Sequence, residues 1–221
     1  MTLYDLIFIA TFFLTLGILI AAGTDFLRGR DAKAARKLRR LCLFLAVYLA
    51  AVAIVGLASP QKTLDMNENE CFDDVCFAAT NADILRAVGN PPQAAAAGDV
   101  FYLVTVRVSS RARARVQRAK DAAVELVDSQ RRRYSPSAAG QAAYEAAIGP
   151  ASPLSGAVAP GESFSSVRVF EGPANAGPMA LVVIHGAWPE WFIIGDSMSL
   201  FHKPTIIRLV PIDRTLPASK N

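Results

Sequence analysis

The chain has 221 residues, 52% of them hydrophobic, and its mean hydropathy of +0.31 exceeds what a soluble domain requires, so membrane segments are expected. Its net charge of +4 comes entirely from residues 1–60, because residues 61–221 carry sixteen basic and sixteen acidic side chains. A neutral remainder excludes a nucleic-acid-binding domain with a generally basic surface.

Two uncharged apolar runs predict a pair of membrane-spanning helices at about residues 4–22 and 41–58. At a rise of about 1.5 Å per residue, each run crosses most of a hydrocarbon core of roughly 30 Å. Lipid cannot satisfy backbone polar groups, so both runs are expected to be helical. A cleaved signal peptide is the alternative for the first run, but residues 1–5 lack the basic side chain that such a peptide carries. We therefore expect both helices to be retained.

The segment between these runs, residues 23–40, is predicted to be a cytoplasmic loop. Short loops rich in Lys and Arg stay on the cytoplasmic side of a membrane. Seven basic residues determine this topology: Arg28, Arg30, Lys33, Arg36, Lys37, Arg39 and Arg40. Residues 65–74 are acidic, so both chain ends are expected on the periplasmic or extracellular side of the inner (cytoplasmic) membrane.

Two cysteines, Cys71 and Cys76, follow a polar linker at residues 59–70 and are predicted to form a disulfide. Disulfides persist on the exported side of a membrane. A metal or redox pair is the alternative, but the four intervening residues differ from the usual two-residue redox spacing, and no histidine lies nearby. Cys42 falls at the start of the second helix, where a thiol acts as a small apolar side chain.

Residues 71–212 alternate between β-branched or aromatic runs and turn residues, which predicts an all-β antiparallel sandwich. In the strongest run, residues 100–108, alternation places three residues on one face: Val104, Val106 and Val108. A short helix is expected at the alanine-rich residues 137–148, and the tail at residues 213–221 is expected to be flexible. The other predicted strands are residues 75–79, 84–88, 123–126, 133–134, 156–158, 164–170, 180–184, 191–194 and 205–209.

The strand sequences carry a family resemblance. The segments concerned are Gly98-Asp-Val-Phe-Tyr-Leu-Val-Thr-Val-Arg-Val108, Val124-Glu-Leu-Val-Asp-Ser-Gln-Arg-Arg-Arg-Tyr-Ser-Pro136 and Val158-Ala-Pro-Gly-Glu-Ser-Phe-Ser-Ser-Val-Arg-Val-Phe170. Over about residues 75–210 the chain resembles the bacterial telokin-like extracellular immunoglobulin-like domains, most of unknown function. The resemblance implies an immunoglobulin-like sandwich, a helical turn after Tyr-Ser-Pro and a binding or structural role. It supplies no catalytic residues, and the two-helix anchor departs from the family's commoner lipoprotein anchor.

No pattern in the sequence predicts a catalytic residue. A membrane-anchored Ser/Lys hydrolase would use Ser197 and Lys203. Signal peptidases share the two-helix layout but place their Ser-Met motif just after the membrane helix, whereas Ser197 lies far downstream. The Gly-Asp-Ser at residues 195–197 also lacks the Asp-x-x-His partner of the Gly-Asp-Ser-Leu esterases. We expect this tripeptide to form a turn.

No metal or cofactor is predicted either. His185, Met198 and His202 invite comparison with a type 1 copper site, which requires a cysteine thiolate close to the late His and Met. No cysteine follows Cys76, so that ligand is missing. Isolated histidines are more often surface residues or hydrogen-bonded parts of a core.

An arginine-rich segment is a possible binding surface. If the preceding strand continues, alternation places Arg111, Arg113 and Arg115 on one face, and a second basic group follows at residues 131–133. Grouped guanidinium groups suit phosphate or carboxylate partners. The full predicted surface comprises Arg111, Arg113, Arg115, Arg131, Arg132 and Arg133. The alternative is a solvated loop whose charge is balanced by nearby carboxylates: Asp121, Glu125 and Asp128.

A pair of tryptophans, Trp188 and Trp191, is the second possible binding surface. Such a pair can form a recognition patch, lie at the membrane interface or cap the edge of a sandwich.

Together these patterns predict a non-enzymatic, membrane-anchored envelope protein that presents an immunoglobulin-like domain for protein interaction or sensing. The expected partner is another envelope or membrane protein. The domain boundaries follow the patterns above: a helical hairpin at residues 1–58, the linker, the sandwich and the tail. An accessory subunit of a larger membrane complex is the first alternative, and the Ser/Lys hydrolase is the second.

Overall fold

The computed structural model describes residues 3–185, 190–196 and 199–214. The chain divides into two compact units. The helical unit comprises Met1–Gln61 and Ala187–Pro204, and the sandwich unit comprises Lys62–Gly186 and Thr205–Asn221. The predicted continuous domain at residues 71–212 is therefore interrupted, because the segment 187–204 belongs with the helices.

The helical unit is built on α1 (Leu3–Leu27) and α2 (Asp31–Ala58), both long and apolar enough to cross a membrane. The predicted loop at residues 23–40 is wrong in its extent, since only residues 28–30 separate the two helices. Alanine, lysine and arginine are good helix formers, so the basic segment continues α2 toward its N-terminus. Lys37 Nζ lies 2.7 Å from Asp25 Oδ2 and joins the helices near their connection.

The sandwich unit confirms the predicted β-rich fold. The strands are β1 Thr63–Leu64, β2 Glu70–Phe72, β3 Val75–Leu85, β4 Ala87–Val88, β5 Gln93–Ala94, β6 Asp99–Ser110, β7 Ala123–Val127, β8 Arg133–Tyr134, β9 Ser163–Pro173, β10 Ala180–Ile184, β11 Ile206–Arg208 and β12 Ile212–Asp213. One main sheet has the strand order β1-β11-β10-β7-β8, the other has β12-β3-β6-β9 with β2 paired to β3, and β4 and β5 form a separate pair. The pairs β1–β11 and β12–β3 are parallel, so the sheets are not purely antiparallel as predicted.

The core lies between the two sheets and is organised by β6. This strand pairs with β3 on one side and β9 on the other. The predicted inward face is confirmed, because Val104, Val106 and Val108 are at most 1% exposed. They share one hydrophobic cluster with Leu126 of β7 and Leu181 of β10 from the opposite sheet. Burial of this contiguous apolar surface is the main driving force for folding the unit.

The predicted short helix is confirmed as α3 (Ala138–Ile148), which begins after Ser137. The Ser137 hydroxyl accepts a hydrogen bond from the Gly140 N–H and caps the helix. A Cβ on Gly140 would lie 2.8 Å from the ring of Phe101 and 2.9 Å from Val169. The glycine therefore lets α3 approach β6 and β9 on the side away from the main core.

Several predicted boundaries differ from the structure. The strand expected at 75–79 continues through an irregularity at Thr80 to Leu85 as β3, and the strand expected at 84–88 is divided between the end of β3 and β4. The linker expected at 59–70 contains β1 and the first residue of β2. Residues 156–158 form only an isolated bridge between Val158 and Gln117. The strand expected at 191–194 is a turn of 3-10 helix at Glu190–Phe192, and most of the predicted flexible tail lies outside the described residues.

The predicted disulfide is present in the structure. Cys71 and Cys76 lie directly opposite each other in the β2–β3 hairpin and are bonded. Cys76 is fully buried at the edge of the core, whereas Cys42 is free and exposed.

Removal of this bridge is expected to destabilise the sandwich unit. Closing so short a loop lowers the entropy of the unfolded chain by an amount worth about 2 kcal/mol, so the Cys71→Ala/Cys76→Ala variant should unfold at lower urea concentration. The measurement is urea unfolding of the full chain in detergent micelles, followed by circular dichroism of the β signal. Cys42→Ala is the control, and equal midpoints for both variants would contradict the expectation.

Candidate binding surfaces

The connection between β6 and β7, residues 111–122, carries an arginine-lined cavity. Arg111, Arg113 and Arg115 are exposed and line a cavity of about 520 Å³ together with Gln117 and Asp74. Because β6 ends at Ser110, these arginines do not continue the strand, so the condition for placing them on one face by strand alternation is not met. The three arginines nevertheless surround one cavity, because a loop instead of a strand brings them together.

The backbone of this connection is held at several points. Arg111 N–H donates to the Asp74 carbonyl at 2.8 Å, and Gln117 exchanges two backbone hydrogen bonds with Val158 at 2.9 and 3.0 Å. Ala112 and Ala119 are buried within the loop. Small side chains therefore point inward while the long cationic ones point outward, so the loop is anchored at both ends of the cavity.

The carboxylates expected to balance this loop are bound elsewhere. Glu125 pairs with Arg133 at 2.9 Å, and Asp128 pairs with Arg132 at 2.6 Å. Asp121 Oδ1 lies 2.8 Å from Nδ1 of His185. Within the described residues no ion pair within 4.0 Å involves Arg111, Arg113 or Arg115. Their one acidic neighbour in the cavity is Asp74, whose Oδ2 accepts a hydrogen bond from Gln117 at 3.4 Å. The cavity therefore has an excess of positive charge.

The second arginine group is separate and largely structural. Arg131 and Arg132 lie in the turn between β7 and β8, and Arg133 begins β8. Strand β7, about 13 Å long, separates this turn from the connection that carries the arginine-lined cavity. Arg131 adopts a left-handed backbone (φ 63°) at the tip of the turn. The six predicted arginines therefore do not form one surface.

Asp128 organises this turn, a role that the sequence analysis missed. Its carboxylate is buried and accepts hydrogen bonds from the Gln130 and Arg132 N–H groups, the Arg132 guanidinium and the Tyr134 hydroxyl. Burial raises the pKa of Asp128, but these hydrogen bonds outweigh it and lower the pKa below its usual value. An aspartate directly after a strand, followed by Ser-Gln, was the available turn signal.

Trp191 belongs to the helical unit. It is 43% exposed, and its carbonyl accepts a hydrogen bond from Leu200 N–H at 3.0 Å. The next residue, Phe192, accepts a 2.7 Å hydrogen bond from the Tyr48 hydroxyl of α2 through its carbonyl. A side chain at Gly56 of α2 would collide with the Leu200 carbonyl. The segment around Trp191 is thus held beside the second helix.

Several residues of the other interpretations lie outside the described residues. These are Trp188 of the tryptophan pair, Ser197 of the hydrolase interpretation and Met198 of the copper comparison. Lys203 lies within the helical unit. His185 packs edge-on against the Phe72 ring, with ring centroids 5.4 Å apart. Among the described residues no three His, Cys, Asp or Glu side chains come together as metal ligands.

Glu70 is a buried carboxyl that the sequence analysis also missed. It begins β2, is 5% exposed and hydrogen-bonds to the Thr205 side chain, while its Oε2 has no hydrogen-bond partner among the described residues. Burial raises the pKa of Glu70 to about 6, and the Thr205 hydrogen bond and the Lys62 charge only partly offset this effect. Glu70 directly precedes the half-buried Cys71, and this position in the sequence does not indicate that the Glu70 carboxyl is buried.

Comparisons with known proteins give a likeness of fold only. No family model matches the chain, and no curated protein matches it. A conserved hypothetical protein from Bacillus anthracis is similar at 18% identity and TM-score 0.46, covering 54% of this chain and 89% of that one. An uncharacterized β-sandwich protein from Clostridium difficile is similar at 11% identity and TM-score 0.43, covering 69% and 96%. A candidate lipoprotein from Bacillus subtilis is similar at 8% identity and TM-score 0.43, covering 64% and 38%. The telokin-like resemblance stays a prediction.

Glu70 is expected to make stability depend on pH. The folded protein binds this proton more tightly than the unfolded chain, whose glutamates titrate near 4.5, so stability is lost as pH rises through 4.5–6. Glu70→Gln removes the buried charge and should recover about 1–2 kcal/mol above pH 7, which is a rise of about 2–8 °C in Tm. Thermal melting of the full chain at pH 4.5 and 7.5 measures the effect.

The exposed Glu162→Gln is the matched control for this substitution. It should leave the Tm unchanged at both pH values, because an exposed glutamate is solvated in both states. A gain for Glu70→Gln that is as large at pH 4.5 as at pH 7.5 would show that burial of the charge is not its cause.

Proposed function

We propose that this protein is a non-enzymatic envelope protein, anchored by α1 and α2, whose sandwich unit binds an acidic segment of another envelope protein through the arginine-lined cavity. The observation that carries the proposal is the set of unpaired guanidinium groups around one cavity. Arg111, Arg113 and Arg115 have no carboxylate partner among the described residues, although three acidic residues lie close by in the sequence. Those acidic side chains are engaged by Arg132, Arg133 and His185.

The chemistry of the cavity fits carboxylates. A guanidinium group presents paired N–H donors in a planar fork that matches a carboxylate, and charge-assisted bonds of this kind are about twice as strong as neutral ones. The cavity of about 520 Å³ is large enough for several side chains of a peptide. The anchored backbone reduces the entropy lost when a ligand binds, because the loop is already held at Asp74 and Val158.

Charge and cysteine chemistry support the proposed location of the sandwich unit. The connection between α1 and α2 is rich in basic residues, which favours the cytoplasmic side, and the bonded pair Cys71–Cys76 is suited to an oxidising compartment. Both arguments support a periplasmic or extracellular location of the sandwich unit.

The hydrolase and accessory-subunit alternatives predict different experimental results. A Ser/Lys hydrolase requires turnover that disappears in Ser197→Ala, and such turnover by the purified chain would contradict a pure binding role. An accessory subunit would be recovered from mild detergent with a stoichiometric membrane partner bound to its helices. The proposed function instead predicts that binding of the partner requires the arginine-lined cavity.

Neutralising the cavity is expected to weaken acidic-peptide binding. The variant Arg111→Gln/Arg113→Gln/Arg115→Gln should bind a fluorescent decaglutamate peptide at least about ten-fold more weakly than the wild type, since each charge-assisted bond contributes on the order of 1 kcal/mol or more. Fluorescence anisotropy with the full chain in zwitterionic nanodiscs measures this difference.

The control for this experiment is Arg131→Gln, which removes an exposed arginine from the turn between β7 and β8. It should bind the peptide as tightly as the wild type. Equal loss in both proteins would show general attraction to a basic protein. Stronger binding to polyphosphate or to anionic vesicles than to the peptide would contradict the proposal, because it would show that the cavity binds phosphate groups in preference to an acidic protein segment.

The topology is tested by cysteine labelling in intact cells. In a Cys42→Ala background, Ala157→Cys on the sandwich unit should react with a membrane-impermeant maleimide, because Ala157 is exposed. Ala35→Cys, near the start of α2, should react only after the cells are permeabilised. The reverse pattern of labelling would contradict the proposed orientation.

A further inference from the structure

A groove on the helical hairpin combines an apolar floor with a cationic end. Five residues of α1 between Phe13 and Ala21 line it, and Lys37 and Arg40 of α2 close it; its volume is about 410 Å³. Gly17 forms the open floor, since a Cβ added there would meet no atom within 4 Å. The absence of a side chain at Gly17 therefore leaves space that packing between α1 and α2 does not use.

The two cations at the end of the groove differ in their partners. Lys37 Nζ is paired with Asp25 and also donates to the Ala21 carbonyl at 3.2 Å. Arg40 is exposed, and no carboxylate of the described residues lies within ion-pair distance of it. Arg40 directly precedes the apolar run that begins at Leu41, so its guanidinium group needs an anion or water at the membrane surface.

We propose that this groove binds one anionic phospholipid, with the phosphate on Arg40 and an acyl chain over Gly17. The proposal rests on membrane anchoring by α1 and α2. The groove runs eight residues along α1, or about 12 Å, which fits within one leaflet of a core that is roughly 30 Å thick. A phosphate satisfies the Arg40 fork with two parallel hydrogen bonds, and basic pockets between membrane helices commonly hold such headgroups.

A helix of a second copy is the competing occupant. Gly17 and Ala21 have the small-x-x-x-small spacing at which membrane helices pack closely. Such a helix would place apolar side chains against Lys37 and Arg40, and burying an unpaired cation against an apolar surface is unfavourable. A phospholipid fills the groove and also neutralises Arg40, so the charge arrangement favours the lipid.

Native mass spectrometry of the full chain tests the proposal, with phosphatidylglycerol and phosphatidylcholine of identical chains added to the detergent-solubilised protein. The wild type should retain one phosphatidylglycerol with at least about five-fold preference over phosphatidylcholine. Arg40→Gln should abolish this preference, whereas Arg40→Lys should keep part of it. Gly17→Leu fills the groove and should reduce retention of both lipids about ten-fold or more.

Two matched variants separate this site from general effects. Arg39→Gln removes a neighbouring exposed cation that does not line the groove, and Gly23→Leu fills open space elsewhere on α1. Both should behave as the wild type. Equal effects of Arg39→Gln and Arg40→Gln, or retention of neither lipid by the wild type, would overturn the proposal. A dimer that Gly17→Leu dissociates would assign the groove to a second copy.

A separate measurement tests whether α1 and α2 anchor the protein in the membrane. Before lipid is added, each variant is extracted from membranes after a carbonate wash. Recovery of the wild type in the wash would contradict membrane anchoring itself. Recovery of the wild type in the membrane fraction, followed by lipid binding that is unchanged in Arg40→Gln, would contradict only the proposal that the groove binds lipid.

Discussion

Strand β6 is the element on which the sandwich unit depends, because it hydrogen-bonds to β3 and β9 along almost its whole length. Its alternating valines, Val104, Val106 and Val108, lie in the core, and that pairing determines which face of each neighbouring strand is buried. A one-residue slip would exchange the valines for Thr105 and Arg107. The cost of burying Arg107 without a partner therefore fixes the register of the whole sheet.

The same strand positions the arginine-lined cavity. Because β6 ends at Ser110, the chain leaves the sheet where Asp74 and Val158 are available to bind its backbone. The connection to β7 must then cross between the sheets, and its small residues Ala112 and Ala119 allow it to pass close to the core. The long cationic side chains between them are left in solvent. The cavity is thus a consequence of a sheet-to-sheet crossing.

Ion pairing decides which arginines are available to a ligand. Arg132 and Arg133 are adjacent to Asp128 and Glu125 in the β7–β8 hairpin, where local geometry makes the pairs short. Asp128 also accepts backbone hydrogen bonds, so its preference for Arg132 is enforced by the turn itself. In the sequence, the nearby carboxylates are numerous enough to balance the positive charge of the arginine-rich segment. The fold instead assigns these carboxylates to the turn and leaves the cavity with excess positive charge.

The amino-acid pattern was sufficient to predict the two apolar helices, the disulfide pair, the β-rich sandwich and the inward face of β6. Each of these follows from local information: the length of an apolar run, the spacing of two cysteines or the alternation of side chains. The three-dimensional fold was needed to show that residues 187–204 belong with the helices, that Glu70 is buried and that the two arginine groups are separate. Those features depend on contacts between residues far apart in the chain, such as Tyr48 with Phe192 and Glu70 with Thr205, and no local pattern records such contacts.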